Sequence, residues 1–322
     1  MSTQASALSK IESPLAADVR EGLLRPGQKE LPSTWLYDDL GSALFEAITC
    51  LPEYGLTRAE ERILQSHART IAAEVWHPSL VVELGSGSGR KTSHILNAVG
   101  LHQPALVYCP IDVSAAALRA CERELAPYAE VRPVEASYLE GLAIASRWRI
   151  PGKEMMVLFL GSTIGNFDRA GAIDFLTVVG SQMSTGDSLL LGADLVKPVE
   201  RLLLAYDDPT GVTAAFNRNL LGRVNMELGA DFDLRLFEHE ARYNRDAQRV
   251  EMHLRAKVAH SVSIPSAEFA VSFDEGETIW TESCHKYRIE ELDQMARTCG
   301  FRPAARWVDA DWPFAEVLWI RC

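Results

Sequence analysis

The segment Glu83-Leu84-Gly85-Ser86-Gly87-Ser88-Gly89 follows an apolar run, Leu80 to Leu84, and precedes a helical stretch ending near Gly100. A glycine-rich turn from strand to helix lets the backbone pass close to a ligand, and in open α/β sheets this turn lies on the ligand-binding edge. The triphosphate pattern G-x-x-x-x-G-K-[ST] is missed, because Lys91-Thr92 is shifted by one and Arg90 replaces the last glycine. The dinucleotide pattern G-x-G-x-x-G fits at Gly85 and Gly87, but Arg90 again replaces the third glycine, which weakens that reading without removing it. Asp112 closes the next apolar run, Val107-Tyr108-Cys109-Pro110-Ile111. A carboxylate there could accept from both hydroxyls of a ribose, or it could cap the following helix in competition with Ser114.

The elements that carry these residues alternate. Thr57 with Glu60 reads as a capping box, and Ile63, His67, Ile71 and Val75 recur at helical spacing. After the glycine turn come a second strand (Ala105 to Ile111), a helix after Ser114, a weaker strand near Val131 and a strand at Met155 to Leu160. A helix at Ile173 to Val179 and a strand at Ser188 to Leu191 follow. Such alternation predicts a parallel sheet covered on both faces. The rhythm breaks after Lys197-Pro198, first into helical segments and then, from Val250 to Tyr287, into antiparallel strands with Asp274 to Glu277 as a hairpin turn. The chain closes with a helix from Glu290 to Thr298, Gly300 at its C-terminal cap, and strands near Arg306 to Val308 and Ala315 to Arg321. That last pair predicts a terminal β-hairpin on the sheet.

The loop resembles the E-x-G-x-G-x-G turn of the S-adenosylmethionine-dependent methyltransferases. A wider set of motifs resembles one group of them: Trp35 to Phe45, Leu51-Pro52-Glu53-Tyr54, Gly161 to Asn166, Ala205 to Asp208, Gly211 to Asn217 and Thr281 to Tyr287. In that order, over nearly the whole chain, they are similar to the histidine-specific N-alpha-methyltransferases of ergothioneine biosynthesis. The resemblance implies trimethylation of the α-amino group of L-histidine to hercynine, with S-adenosylmethionine as methyl source. It implies an α/β fold with a Rossmann-like class I methyltransferase core, 61–196 and 287–322, in which a mostly parallel sheet ends in the hairpin. A second, α+β substrate domain is expected over 1–60 and 197–286. Cofactor contacts carry over to Gly85, Lys91 and Asp112, with Ser137 and Tyr138 at the adenine. Tyr54, Asn166 and Tyr206 carry over as the catalytic set holding the amino-acid end, with Tyr37 nearby, and Glu282 and Cys284 as the residues facing the imidazole. Cys284 stands where the family commonly has serine. Ala136-Ser137-Tyr138 lacks the acid usual before the aromatic residue, and Gly55-Leu56 differs from the usual aromatic and proline.

Residue chemistry leaves alternatives beside these roles. The three tyrosines could be packing residues, Asn166 could cap the helix that starts near Asp168, Glu282 could be a solvated strand residue, and Lys91 an exposed helix start. Methylation of another small amino acid or a biogenic amine is the competing activity.

Composition narrows the partners. The 322 residues are 47% hydrophobic and 24% charged, enough apolar material for two unequal domains. A net charge of -12, from 32 basic and 44 acidic residues, argues against nucleic acid and for a small-molecule substrate. Cys50, Cys109, Cys121, Cys284, Cys299 and Cys322 show no paired spacing, so buried free thiols and no metal site are expected. Met1 to Lys10 has no basic-then-apolar leader pattern, and Met155 to Phe167 is too short to span a bilayer. A cytoplasmic monomer with no membrane association is the expectation.

Overall fold

The strands Leu80–Leu84, Met155–Phe159 and Ser188–Asp194 are buried at every residue, as a sheet covered on both faces requires. They lie in a computed structural model that describes residues 13–75, 78–103 and 105–322. Residues 1–12 of the expected substrate domain lie outside the described residues. The chain divides into two compact units. The larger comprises Glu46–Pro209, Tyr243–Val250 and Ser283–Cys322, and the smaller Met1–Phe45, Thr210–Arg242 and Glu251–Glu282.

In the larger unit the sheet runs in the order Phe301–Asp309, Phe314–Arg321, Ser188–Asp194, Met155–Phe159, Leu80–Leu84, Val107–Asp112, Glu130–Val131. The pairs from Ser188–Asp194 to Glu130–Val131 are parallel, and the last two strands of the chain add on antiparallel. The expected terminal hairpin is therefore present. Gly300, at φ +78°, lies just past the capping residue Cys299, where a left-handed backbone ends the helix Ile289–Thr298. One apolar cluster packs Val82, Phe159, Leu191 and Trp319 on one face, and a second packs Val81, Leu158, Leu190 and Leu318 on the other. Neighbours in sequence thus point to opposite faces.

In the smaller unit the helix Pro14–Leu24 starts at Ser13, whose Oγ accepts from the Ala16 amide at 3.2 Å. A second helix, Val212–Leu228, begins and ends on left-handed glycines, Gly211 and Gly229. Lys29–Glu30 and the greater parts of Thr278–His285, Arg249–Ala256 and Phe237–Asn244 belong to this unit and form a four-stranded sheet, and His260–Ile264 pairs antiparallel with Phe269–Phe273.

Two local expectations are corrected. Asp274 to Glu277 does turn, with the Glu277 amide donating to the Asp274 carbonyl at 3.1 Å, but its flanking strands belong to different sheets, so it closes no hairpin. The helix Gly55–Glu74 starts upstream of Thr57, and Glu60 is fully buried, so there is no capping box there. Cys50 and Cys322 are exposed, unlike the other four cysteines. No described helix is long and apolar enough to cross a membrane.

Candidate active site

Gly85, Gly87 and Gly89 have φ of +77°, +50° and +73°, a conformation that L side chains resist. A Cβ on Gly85 would meet the Tyr138 ring at 3.2 Å, and one on Gly89 the Cys121 sulfur at 2.6 Å, whereas nothing lies within 4 Å of one on Gly87. The loop is packed at both ends and open in the middle. Asp112 holds that open centre: its Oδ2 accepts from the Gly87 amide at 3.1 Å and its Oδ1 from the Ser114 amide at 2.9 Å. Ser114 is the cap of the next helix, its Oγ accepting from the Ala117 amide at 3.2 Å.

Glu83 faces inward. Thr92 Oγ1 donates to it at 2.8 Å, and the Tyr108 hydroxyl also donates. Burial pushes its carboxyl up to about 7 against those donors and Lys91. It braces the strand end against the helix start. Tyr138 stands edge-on to Phe159 and Phe175, at 5.7 and 6.1 Å between ring centres. Burial first, then the charge of Asp112, pushes its hydroxyl up to about 12. Ser137, beside it, is exposed and donates to Glu140 at 2.6 Å.

Lys91 does not stand free at the helix start. Its Nζ pairs with the carboxylate of Glu60, which also accepts from the Gly161 amide. Burial opposes the Lys91 charge, yet Glu60 outweighs it and raises the pKa. Glu316 is buried beside Glu60, and burial first, then the Glu60 charge, lifts it well above the carboxylate range. Gly192 makes room for both, since a Cβ there would lie 2.6 Å from Glu60 Oε1 and 3.0 Å from Glu316 Oε1. Glu60 thus ties the helix Gly55–Glu74 to the helix start that follows the glycine loop and to the loop after Met155–Phe159.

That second loop carries Asn166. Ser162 takes a left-handed conformation, φ +56°, and its Oγ accepts from the Asp194 amide at 2.9 Å. The short 3-10 turn Thr163–Asn166 is then pinned twice. His285 Nδ1 lies 3.0 Å from the Gly165 carbonyl, and the Tyr287 hydroxyl donates to the Ile164 carbonyl at 3.0 Å. Asn166 is exposed at the end of this turn, and Asp168, not Asn166, caps the helix Arg169–Ser181.

Tyr54 and Tyr206 are both buried, with ring centres 6.1 Å apart and planes at 69°. Below them lies a network that sequence reasoning missed. Lys286 Nζ donates to Tyr206 Oη at 2.9 Å and to Cys284 Sγ at 3.1 Å, and lies 2.8 Å from Asp194 Oδ2. Lys197 pairs with Asp194 Oδ1, to which Trp312 Nε1 also donates at 3.0 Å. Asp194 sits at the end of a sheet strand, the edge where ligands bind, and that position was the available signal.

In the smaller unit the Tyr37 ring packs edge-on against Phe45 and Phe216, at 5.6 and 5.5 Å. Its hydroxyl lies 3.4 Å from Glu282 Oε1. Tyr37 and Glu282 are brought together there, and Phe45 and Phe216 are additions that sequence reasoning did not single out. Glu282 and Cys284 lie two apart on the strand Thr278–His285, Glu282 in the smaller unit and Cys284 in the larger.

The profile of the family described as histidine-specific, S-adenosylmethionine-dependent methyltransferases matches residues 15–321. The chain belongs to this family. A histidine N-alpha-methyltransferase from Mycolicibacterium smegmatis is 42% identical over 95% of both chains, and one from Mycobacterium tuberculosis is 41% identical over 94% of both. Ergothioneine biosynthesis protein 1 of Schizosaccharomyces pombe is 32% identical over 86% of this chain and 37% of its own.

This histidine-specific methyltransferase family takes S-adenosylmethionine, and the residues present fit it. The open space at Gly87, the Asp112 carboxylate beside it and the Tyr138 ring over Gly85 make a cradle for a nucleoside. Among the described residues no cluster of His, Cys, Asp and Glu could hold a metal ion.

Proposed function

We propose that the chain transfers three methyl groups in turn from S-adenosylmethionine to the α-amino nitrogen of L-histidine, giving hercynine. The observation that carries this reading is the 42% identity to a histidine N-alpha-methyltransferase over 95% of both chains. The cofactor supplies a methyl carbon on a positively charged sulfur, which a nitrogen lone pair can displace in line. The chain's own task is alignment.

In the larger unit Asp112 takes the ribose hydroxyls and Tyr138 lies along the base, with Gly85 under it and Ser137 at its rim. Lys91 is the cation for the cofactor's carboxylate, with Glu60 as its present partner. Tyr54, Asn166 and Tyr206 hold the amino-acid end, and a ring with an amide oxygen suits a nitrogen that ends as a fixed cation. In the smaller unit Glu282 accepts from the imidazole N–H, with Tyr37 beside it. The Cys284 thiol takes the part of the usual serine as a weaker donor. The substrate domain of this reading is 1–60 with 197–286, and the cofactor core is 61–196 with 287–322. The chain acts as a monomer in the cytoplasm.

Replacing Asp112 with alanine weakens S-adenosylmethionine binding about a hundredfold, because two charge-assisted bonds to the ribose are lost together. Calorimetry reads this directly; an unchanged affinity removes the ribose role. A panel of free amino acids and amines with labelled cofactor tests the substrate. Label in histidine alone supports the reading, and label in another amine instead of histidine overturns it.

A further inference from the structure

Lys286 is fully buried, and an ammonium has three hydrogens and no acceptor. Its Nζ donates to Tyr206 Oη at 2.9 Å and to Cys284 Sγ at 3.1 Å, and forms an ion pair with Asp194 Oδ2 at 2.8 Å. An oxygen or sulfur that accepts from Lys286 must direct its own hydrogen elsewhere. Asp194 is shared, because Lys197 holds its other oxygen. Among the described residues neither lysine has a second carboxylate within ion-pair distance. Two ammoniums and one carboxylate, all buried, leave positive charge in excess beneath Tyr206 and Cys284. A buried charge of that kind is costly until a counter-charge joins it.

We propose that Lys286 is a positioning residue of the substrate site: it fixes the Tyr206 side chain at the amino-acid end, and with Lys197 and Asp194 it selects a substrate that carries a carboxylate. This rests on Tyr206 lying at the amino-acid end, as in the function proposed above. It separates free amino acids from biogenic amines of the same side chain, which lack the carboxylate. Burial first, with the charge and hydrogen bond of the neighbouring Cys284, holds the Tyr206 hydroxyl well above its ordinary range, so it stays a neutral phenol. Lys286 itself touches no substrate atom in this scheme and acts through Tyr206.

The test is a double-mutant cycle on ligand binding, read by calorimetry without turnover. Lys286→Met weakens histidine binding about tenfold or more, since a buried hydrogen-bonded charge is removed. Histamine binds the wild type and Lys286→Met equally weakly. Tyr206→Phe costs markedly less in the Lys286→Met protein than in the wild type, because the two act as one unit. Unchanged histidine affinity in Lys286→Met, or additive losses with Tyr206→Phe, overturns the proposal. Equal losses for histidine and histamine do the same. Should Lys286→Met not fold, Lys286→Gln, which keeps a donor, carries the same cycle. Failure of the wild type to bind histidine would sink the substrate reading instead. The cycle is then run on whichever amino acid the amine panel shows to be methylated, where Lys286 is judged on its own.

Discussion

Asn166→Ala lowers turnover about a hundredfold and leaves S-adenosylmethionine affinity unchanged, because in-line transfer depends on alignment and not on acid–base strength. The physical basis is the rigidity of the turn that carries it. Thr163–Asn166 is bound at two successive carbonyls by His285 and Tyr287, each at 3.0 Å. Gly165 has no room for a side chain, since a Cβ there would come within 2.9 Å of the His285 carbonyl oxygen. The backbone that carries the amide is thereby fixed, and alanine removes the amide without loosening the turn. Steady-state rates beside calorimetry with the cofactor separate the two effects. Equal losses in both would make Asn166 part of the cofactor cradle and not of the substrate site.

Glu282→Ala has the second large effect, and it falls on a different constant. A carboxylate that accepts from an imidazole N–H makes a charge-assisted bond, and losing it raises the Michaelis constant for histidine about a hundredfold while the maximal rate falls far less. Tyr37, whose hydroxyl lies 3.4 Å from Glu282 Oε1, cannot replace the lost charge. Initial-rate kinetics over a wide histidine range reads both constants. An unaltered Michaelis constant removes Glu282 from imidazole recognition.

Much of the sheet was legible because its physics is local. The buried strands Leu80–Leu84 and Met155–Phe159 are continuous apolar runs, and the glycines of the loop announce a backbone that side chains would block. Ser114 was legible as a cap for the same reason, since its hydroxyl needs only an amide three residues on. Features that depend on distant partners were not. Thr57 and Glu60 have the spacing of a capping box, but the carboxylate turns inward to Lys91 and Gly161, far along the chain. Asp274 to Glu277 has the composition of a hairpin turn, yet the strand before it finds its partner in His260–Ile264 and the strand after it joins another sheet. Asp194, Lys197 and Lys286 are charged, and charged residues read as solvated until a fold buries them against one another. Their one sequence-level hint is place: Asp194 ends an apolar strand on the ligand edge, and Lys286 sits within the motif Thr281 to Tyr287.

Incubating purified protein with L-histidine and excess S-adenosylmethionine, then weighing the products by mass spectrometry, tests the central claim most directly. Histidine should pass through one and two added methyl groups and accumulate with three on its α-nitrogen, while the cofactor is consumed in step. Histidine recovered at its original mass, or methylated only on its ring, would contradict the account.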